Sequence, residues 1–176
     1  MSVPYYPDTL WSEILNGLYQ GGTDEYDELG SQSRGEGLRG FAQIRTQVTK
    51  DDFDTVVTAY SQANPAGRSV KELRFTFHDG DMKDLDPERD LTFLVREAHS
   101  DWKAGKKVLI RCQAGINRSG LITALVLIRD GHTPREAIDL IRSTRCEAAL
   151  TNSHFEEYLL NVADVGYWRQ AQISKD

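Results

Sequence analysis

The first signal in the chain is the order of its apolar and polar stretches. Ile14 to Tyr19 is a short apolar segment that predicts a strand or the start of a hairpin. Phe53 to Tyr60, FDTVVTAY, is rich in β-branched residues and predicts a buried strand. Val70 to Phe77 alternates, with Leu73, Phe75 and Phe77 on one face, which predicts a half-buried strand. Asp86-Pro87 predicts a helix start, with Asp86 as cap and Pro87 at the first helical position. Leu91, Leu94, Val95 and Ala98 give that helix its apolar face, and Gly105 closes it. Lys107 to Arg111 is a further short strand. Arg118 to Asp130 is apolar almost all round, as a buried helix is. Thr133-Pro134-Arg135-Glu136 is a capping box for the next helix, with Ala137, Ile138 and Ile141 inward. Ser153-His154-Phe155-Glu156 has the pattern of a second capping box. This order of strands and helices predicts an α/β fold: a central, twisted, mostly parallel sheet flanked by helices.

Three stretches break the periodicity. Residues 21–40, GGTDEYDELGSQSRGEGLRG, are rich in Gly, Ser and acid and predict a loop or insertion. Asn64 to Ser69 is a turn cluster. His78 to Asp86, HDGDMKDLD, is a polar acidic loop. The length of 176 residues fits one domain over residues 1–176. The formal net charge of −6 weighs against a general nucleic-acid or anionic-membrane binder, though not against a small basic pocket. Cys112 and Cys146 are the only cysteines, and no apolar N-terminal signal segment is visible, so a cytoplasmic setting is expected. The longest apolar run, Leu121 to Ile128, is too short to span a bilayer. The four histidines show no metal-ligand spacing, and neither metal nor cofactor is expected.

The chemistry gathers where the strand ending at Arg111-Cys112 meets the helix starting near Arg118. The intervening loop, Gln113-Ala114-Gly115-Ile116-Asn117, can turn its N–H groups inward if it curls tightly, and Gly115 permits the dihedral required. The helix adds free N–H groups and the positive end of its dipole. The result is a nest for a phosphate dianion. Arg118 can grip two phosphate oxygens with its planar guanidinium. Cys112 sits at the floor of the nest, where the positive field favours a nucleophilic thiolate.

Cys112-Gln-Ala-Gly115-Ile-Asn-Arg118-Ser119-Gly120 resembles the Cys-x2-Gly-x2-Arg-Ser/Thr signature of the cysteine-dependent protein tyrosine phosphatases. The short chain resembles their dual-specificity branch. Ser12 to Gly22, Glu136 to Arg145, Asn152 and Phe155 resemble other parts of that branch. The resemblance implies a sheet with helices on both faces, a phosphoprotein substrate and a cysteinyl-phosphate intermediate. It implies that the Ser119 hydroxyl eases departure of the sulfur and that Asn152 braces the loop. A phosphoester needs a proton for its leaving oxygen, and one carboxylate can supply it. The resemblance points to Asp79, with Asp81 the alternative.

Two positions depart from the pattern. Arg111 stands where the family usually has histidine, so the thiolate and the loop are expected to have different supporting partners. Gly-Ile-Asn-Arg-Ser-Gly also resembles Gly-Phe-Asn-Arg-Thr-Gly of the RNA 5′-triphosphatases, a branch that works without an aspartate acid. That activity and a phosphoinositide phosphatase are the alternatives, with a catalytically weak phosphate-binding module as the non-enzymatic one. Cys146 is either a structural residue or a resolving thiol for oxidised Cys112. A monomer is expected.

Overall fold

The computed structural model describes residues 2–26, 41–43 and 47–170. Seven strands are present among them: β1 Trp11–Leu15, β2 Leu18–Gly21, β3 Asp24–Tyr26, β4 Phe41–Gln43, β5 Thr55–Thr58, β6 Lys71–Arg74 and β7 Val108–Arg111. The helices are α1 Pro87–Lys103, α2 Arg118–Arg129, α3 Pro134–Thr144, α4 Ser153–Glu157 and α5 Val165–Gln170. A π-helical turn, Tyr158–Val162, joins the last two.

The central sheet has five strands in the order β1-β2-β7-β5-β6. The β1–β2 hairpin is antiparallel, and the other three pairings are parallel. Every residue of β5 and β7 is buried, as expected for central parallel strands covered on both sides. Strand alternation sends Val108 and Ile110 to one face and Leu109 to the other. The first face packs against α2, which is buried around its whole circumference apart from Arg118, and the remaining helices surround α2.

The sheet is flanked by helices, as expected, and its second face carries a smaller cluster of its own. Among the described residues that face is closed by Trp11, Tyr19, Phe53, Val48, Val56 and Val70. Trp11 and Tyr19 each pack edge-on against Phe53, with centroids 5.0 and 5.2 Å away. These large rings bury much apolar area against the sheet.

The helix boundaries follow local chemistry. The Asp86 carboxylate accepts from the Arg89 N–H, with Pro87 in the first turn. Both bonds of the Thr133/Glu136 capping box are present. Gly105, at φ +84°, follows the end of α1. The second capping box is corrected: Asn152, not Ser153, caps α4, its side-chain oxygen accepting from the N–H groups of His154 and Phe155. The predicted loop at 21–40 is corrected at its start, because β2 runs to Gly21 and Asp24–Tyr26 pair with Phe41–Gln43. The rest of that segment lies outside the described residues.

Candidate active site

The loop from Cys112 to Asn117 leaves the C-terminal end of β7 and enters α2. Each of its carbonyls is occupied from outside. The Thr23 N–H donates to Cys112 O and Gln113 O at 3.0 and 2.8 Å. The Arg145 guanidinium donates to Ala114 O at 3.3 Å and Gly115 O at 3.1 Å. The Gln20 amide also donates to Gly115 O, at 3.1 Å. The Leu150 N–H reaches Ile116 O, and the Leu121 N–H reaches Asn117 O. In a trans peptide C=O and N–H point in opposite directions, and no peptide here is cis. Carbonyls held outward therefore turn the N–H groups of residues 113–118 inward, towards the space above Cys112.

Gly115 is required twice over. Its φ is +71°, and a Cβ there would lie 2.4 Å from the Gly21 backbone and 2.6 Å from Arg145 Nη2. Gly120 has a different duty, close packing: a Cβ would sit 3.0 Å from Leu150 Cγ.

Cys112 is 2% exposed, and its Sγ lies 3.2 Å from Ser119 Oγ. Arg118 donates from Nη1 to Ala59 O at 3.3 Å and lies 5.3 Å from the Tyr60 ring centroid. Its Nε is buried with no hydrogen-bond partner among the described residues, which leaves this N–H available to a bound anion. The arrangement suits a tetrahedral dianion seated over a sulfur.

Asp79 is brought to this rim from the loop after β6. Asn152 Nδ2 donates to Asp79 Oδ1 at 2.8 Å, and Asn117 Nδ2 donates to Asp79 Oδ2 at 3.2 Å. The two asparagines are themselves linked, the Asn152 N–H donating to Asn117 Oδ1 at 3.0 Å. Asn152 also donates to Gly80 O. Asp81 has no such tie among the described residues: its carboxylate accepts from the Lys83 N–H within its own loop.

Arg111 points to the opposite face from Cys112, as strand alternation requires. Its guanidinium donates to Thr58 Oγ1, Asn64 O and Glu72 Oε1 at 3.0, 2.7 and 3.1 Å. Burial pushes the Arg111 guanidinium below its ordinary range, and Glu72 opposes that. Burial would raise Glu72, but the Thr58 hydroxyl, the Ala66 N–H, Arg74 and Arg111 together hold it below the usual carboxylate value. Arg74 pairs with Glu72 and donates to Tyr60 O, Ser61 O and Ala63 O. Arg111 thus steadies the segment that contributes Ala59 and Tyr60 to Arg118.

The sequence missed Arg145 and Gln20 as supports of the nest. Arg145 also donates to Thr9 O and Ser12 Oγ, which joins the N-terminal segment to the loop. Burial pushes its guanidinium down, while Cys146 and Cys112 beside it oppose that. Cys146 is fully buried, and burial pushes its thiol up, which suits a structural residue better than a resolving thiolate.

A buried thiol, an inward-facing amide nest and an arginine, set at the carboxyl end of a parallel strand, define the class: a cysteine-dependent phosphatase domain. Residues 41–164 match the family model of the dual specificity phosphatase catalytic domain, and the chain belongs to that family. The mouse dual specificity protein phosphatase 12 is 29% identical over 165 residues, covering 88% of this chain and 42% of the relative. A probable protein tyrosine phosphatase type IVA B of Dictyostelium discoideum is 35% identical over 80 residues, 45% of this chain and 49% of the relative. The chain thus spans less than half the length of these two relatives. Human DUSP28 superposes with a TM-score of 0.63 at 18% identity, over 98% of this chain and 100% of that one, and shares the fold.

Proposed function

We propose that residues 1–176 act as one catalytic domain that hydrolyses phosphate monoesters of phosphoproteins, phosphotyrosine above all. The Cys112 thiolate attacks phosphorus in line. The ester P–O bond breaks, and Asp79 gives its proton to the leaving oxygen. The nest N–H groups and Arg118 hold the equatorial oxygens as charge shifts onto them. Water then attacks the cysteinyl-phosphate, Asp79 takes its proton and the S–P bond breaks. The Ser119 hydroxyl donates to the departing thiolate. The observation that carries this reading is the outward engagement of all six loop carbonyls around a buried sulfur.

Asn117 bears on the RNA 5′-triphosphatase alternative. The residue that resembles that branch is occupied with Asp79, the group that branch does without, and this favours monoester chemistry. Two free, buried cysteines support a reducing compartment such as the cytoplasm. Among the described residues, no helix is long and apolar enough to cross a membrane.

Turnover of para-nitrophenyl phosphate tests the proposal. The expected result is hydrolysis by the wild type, and none by Cys112→Ser, which still binds vanadate. Stoichiometric phosphate binding by the wild type without product release would replace the enzyme by a binding module.

A further inference from the structure

Between the acid loop, the start of α1 and the π-helical turn lies an open cleft of about 450 Å³ that the mechanism does not use. Its walls are apolar: Met82 and Leu85 from the acid loop, Pro87 from α1, and Tyr158 and Val162 from the π-helical turn. The wider winding of a π-helix recurs at functional sites. Here it places Tyr158 in the wall and leaves Val162 66% exposed at the lip.

The rim is acidic. Asp86, Glu88 and Glu157 line the same cleft, together with His154. Among the described residues, the Asp86 carboxylate accepts from the Arg89 N–H and forms no ion pair. Glu88 and Glu157 have no ion-pair partner among the described residues. Of the nearby cations, Arg89 is forked onto Asp90. Lys83 lines a separate recess with Asp84 and Asp86. An apolar floor under uncompensated carboxylates fits an apolar side chain next to a cation.

The cleft shares a loop with the proton donor: Met82 and Leu85 follow Asp79 by three and six residues. His154 in its lining follows Asn152, which holds Asp79, by two residues, so the cleft adjoins the acid loop on a side open to the flank of a bound phosphopeptide. A second copy of the protein is a poor occupant, because at net charge −6 it would bring like-charged rims together.

We propose that this cleft selects phosphoprotein substrates that carry an apolar residue adjacent to Lys or Arg at a fixed distance from the phosphotyrosine. This inference rests on the phosphatase function proposed above. The test is kcat/KM on phosphotyrosine peptides in which a Leu-Arg pair is moved stepwise along either flank. One register is expected to raise kcat/KM about tenfold, mainly through KM, an increment typical of one seated side chain and one charge pair. The double variant Glu88→Gln/Glu157→Gln should abolish that preference, and so should Val162→Asp. Raising salt from about 50 to about 500 mM should weaken it, as for any exposed charge pair. All variants should keep wild-type turnover of para-nitrophenyl phosphate. Equal kcat/KM in every register overturns the proposal, as does a preference that survives both variants. A concentration-dependent dimer that Val162→Asp dissolves assigns the cleft to self-association and also overturns it. Failure of the wild type on para-nitrophenyl phosphate would instead strike the proposed function itself.

Discussion

The phosphate loop and the acid loop meet at one site but are held in different ways. The phosphate loop is anchored into the core, with Cys112 and Ile116 buried and a donor on every carbonyl from 112 to 117. The acid loop lies on the surface, with Asp79, Asp81 and Asp84 exposed. Side-chain amides of Asn117 and Asn152 tie Asp79 to the phosphate loop and to the start of α4. The nucleophile's surroundings are thus part of the folded core, whereas the proton donor is attached to it by a few exposed bonds. Elements attached in this way open locally at lower free energy than the core does.

Four experiments test that contrast. The largest effect is expected from Asp79→Asn, which removes the acid and leaves the nest intact. It should lower kcat by about 10²- to 10⁴-fold for esters with poor leaving groups and remove the alkaline limb of the pH–rate profile. If Asp81→Asn has this effect and Asp79→Asn does not, the roles are exchanged. Arg145→Met attacks the nest from behind and leaves Ala114 O without its donor. An unsatisfied buried carbonyl costs about 1–3 kcal/mol, so Tm should fall, and vanadate affinity should fall with it. A lower Tm at unchanged affinity would make Arg145 a purely structural residue.

Asp101 provides a control away from both loops. Burial alone would raise it, but Lys106, Lys71 and the Thr55 hydroxyl lower it to about 2. Its folded value lies below its unfolded one, so its contribution is complete above about pH 4 and is lost as the pH falls towards 2. Asp101→Asn should remove about 1 kcal/mol of stability at neutral pH, the lysine partners being partly screened by solvent, and flatten acid unfolding over that window, with kcat unchanged. The smallest effect is expected from Asn117→Ala, which removes the tie to Asp79 and the acceptor of the Asn152 N–H. Loss of a bond worth about 1 kcal/mol should lower kcat roughly fivefold, most for poor leaving groups. An equal loss for all leaving groups would show that Asn117 acts through the nest and not through Asp79.

Local rules made much of this legible. Central strands with every residue buried, an apolar helix after Cys112 and the Thr133/Glu136 capping box all follow from short-range patterns. Strand parity would also have placed Arg111 on the face away from the thiol. Other features depend on distant partners. Two neighbours, Asn152 and Ser153, are each competent to cap α4, and the choice coincides with the ties of Asn152 to Asp79 and Asn117. Asp24–Tyr26 has the composition of a loop, yet it pairs in a ladder with Phe41–Gln43. Arg145 meets Gly115 across 30 residues and Gln20 meets it across 95, separations at which no periodic signal survives.

The outward-bound carbonyls have a thermodynamic consequence. A flexible loop that closes on its ligand loses conformational entropy at every encounter, and its affinity is reduced accordingly. Here that entropy is lost once, when the chain folds. Binding an anion then involves desolvation and the alignment of the Arg118 side chain, with no ordering of the backbone around it.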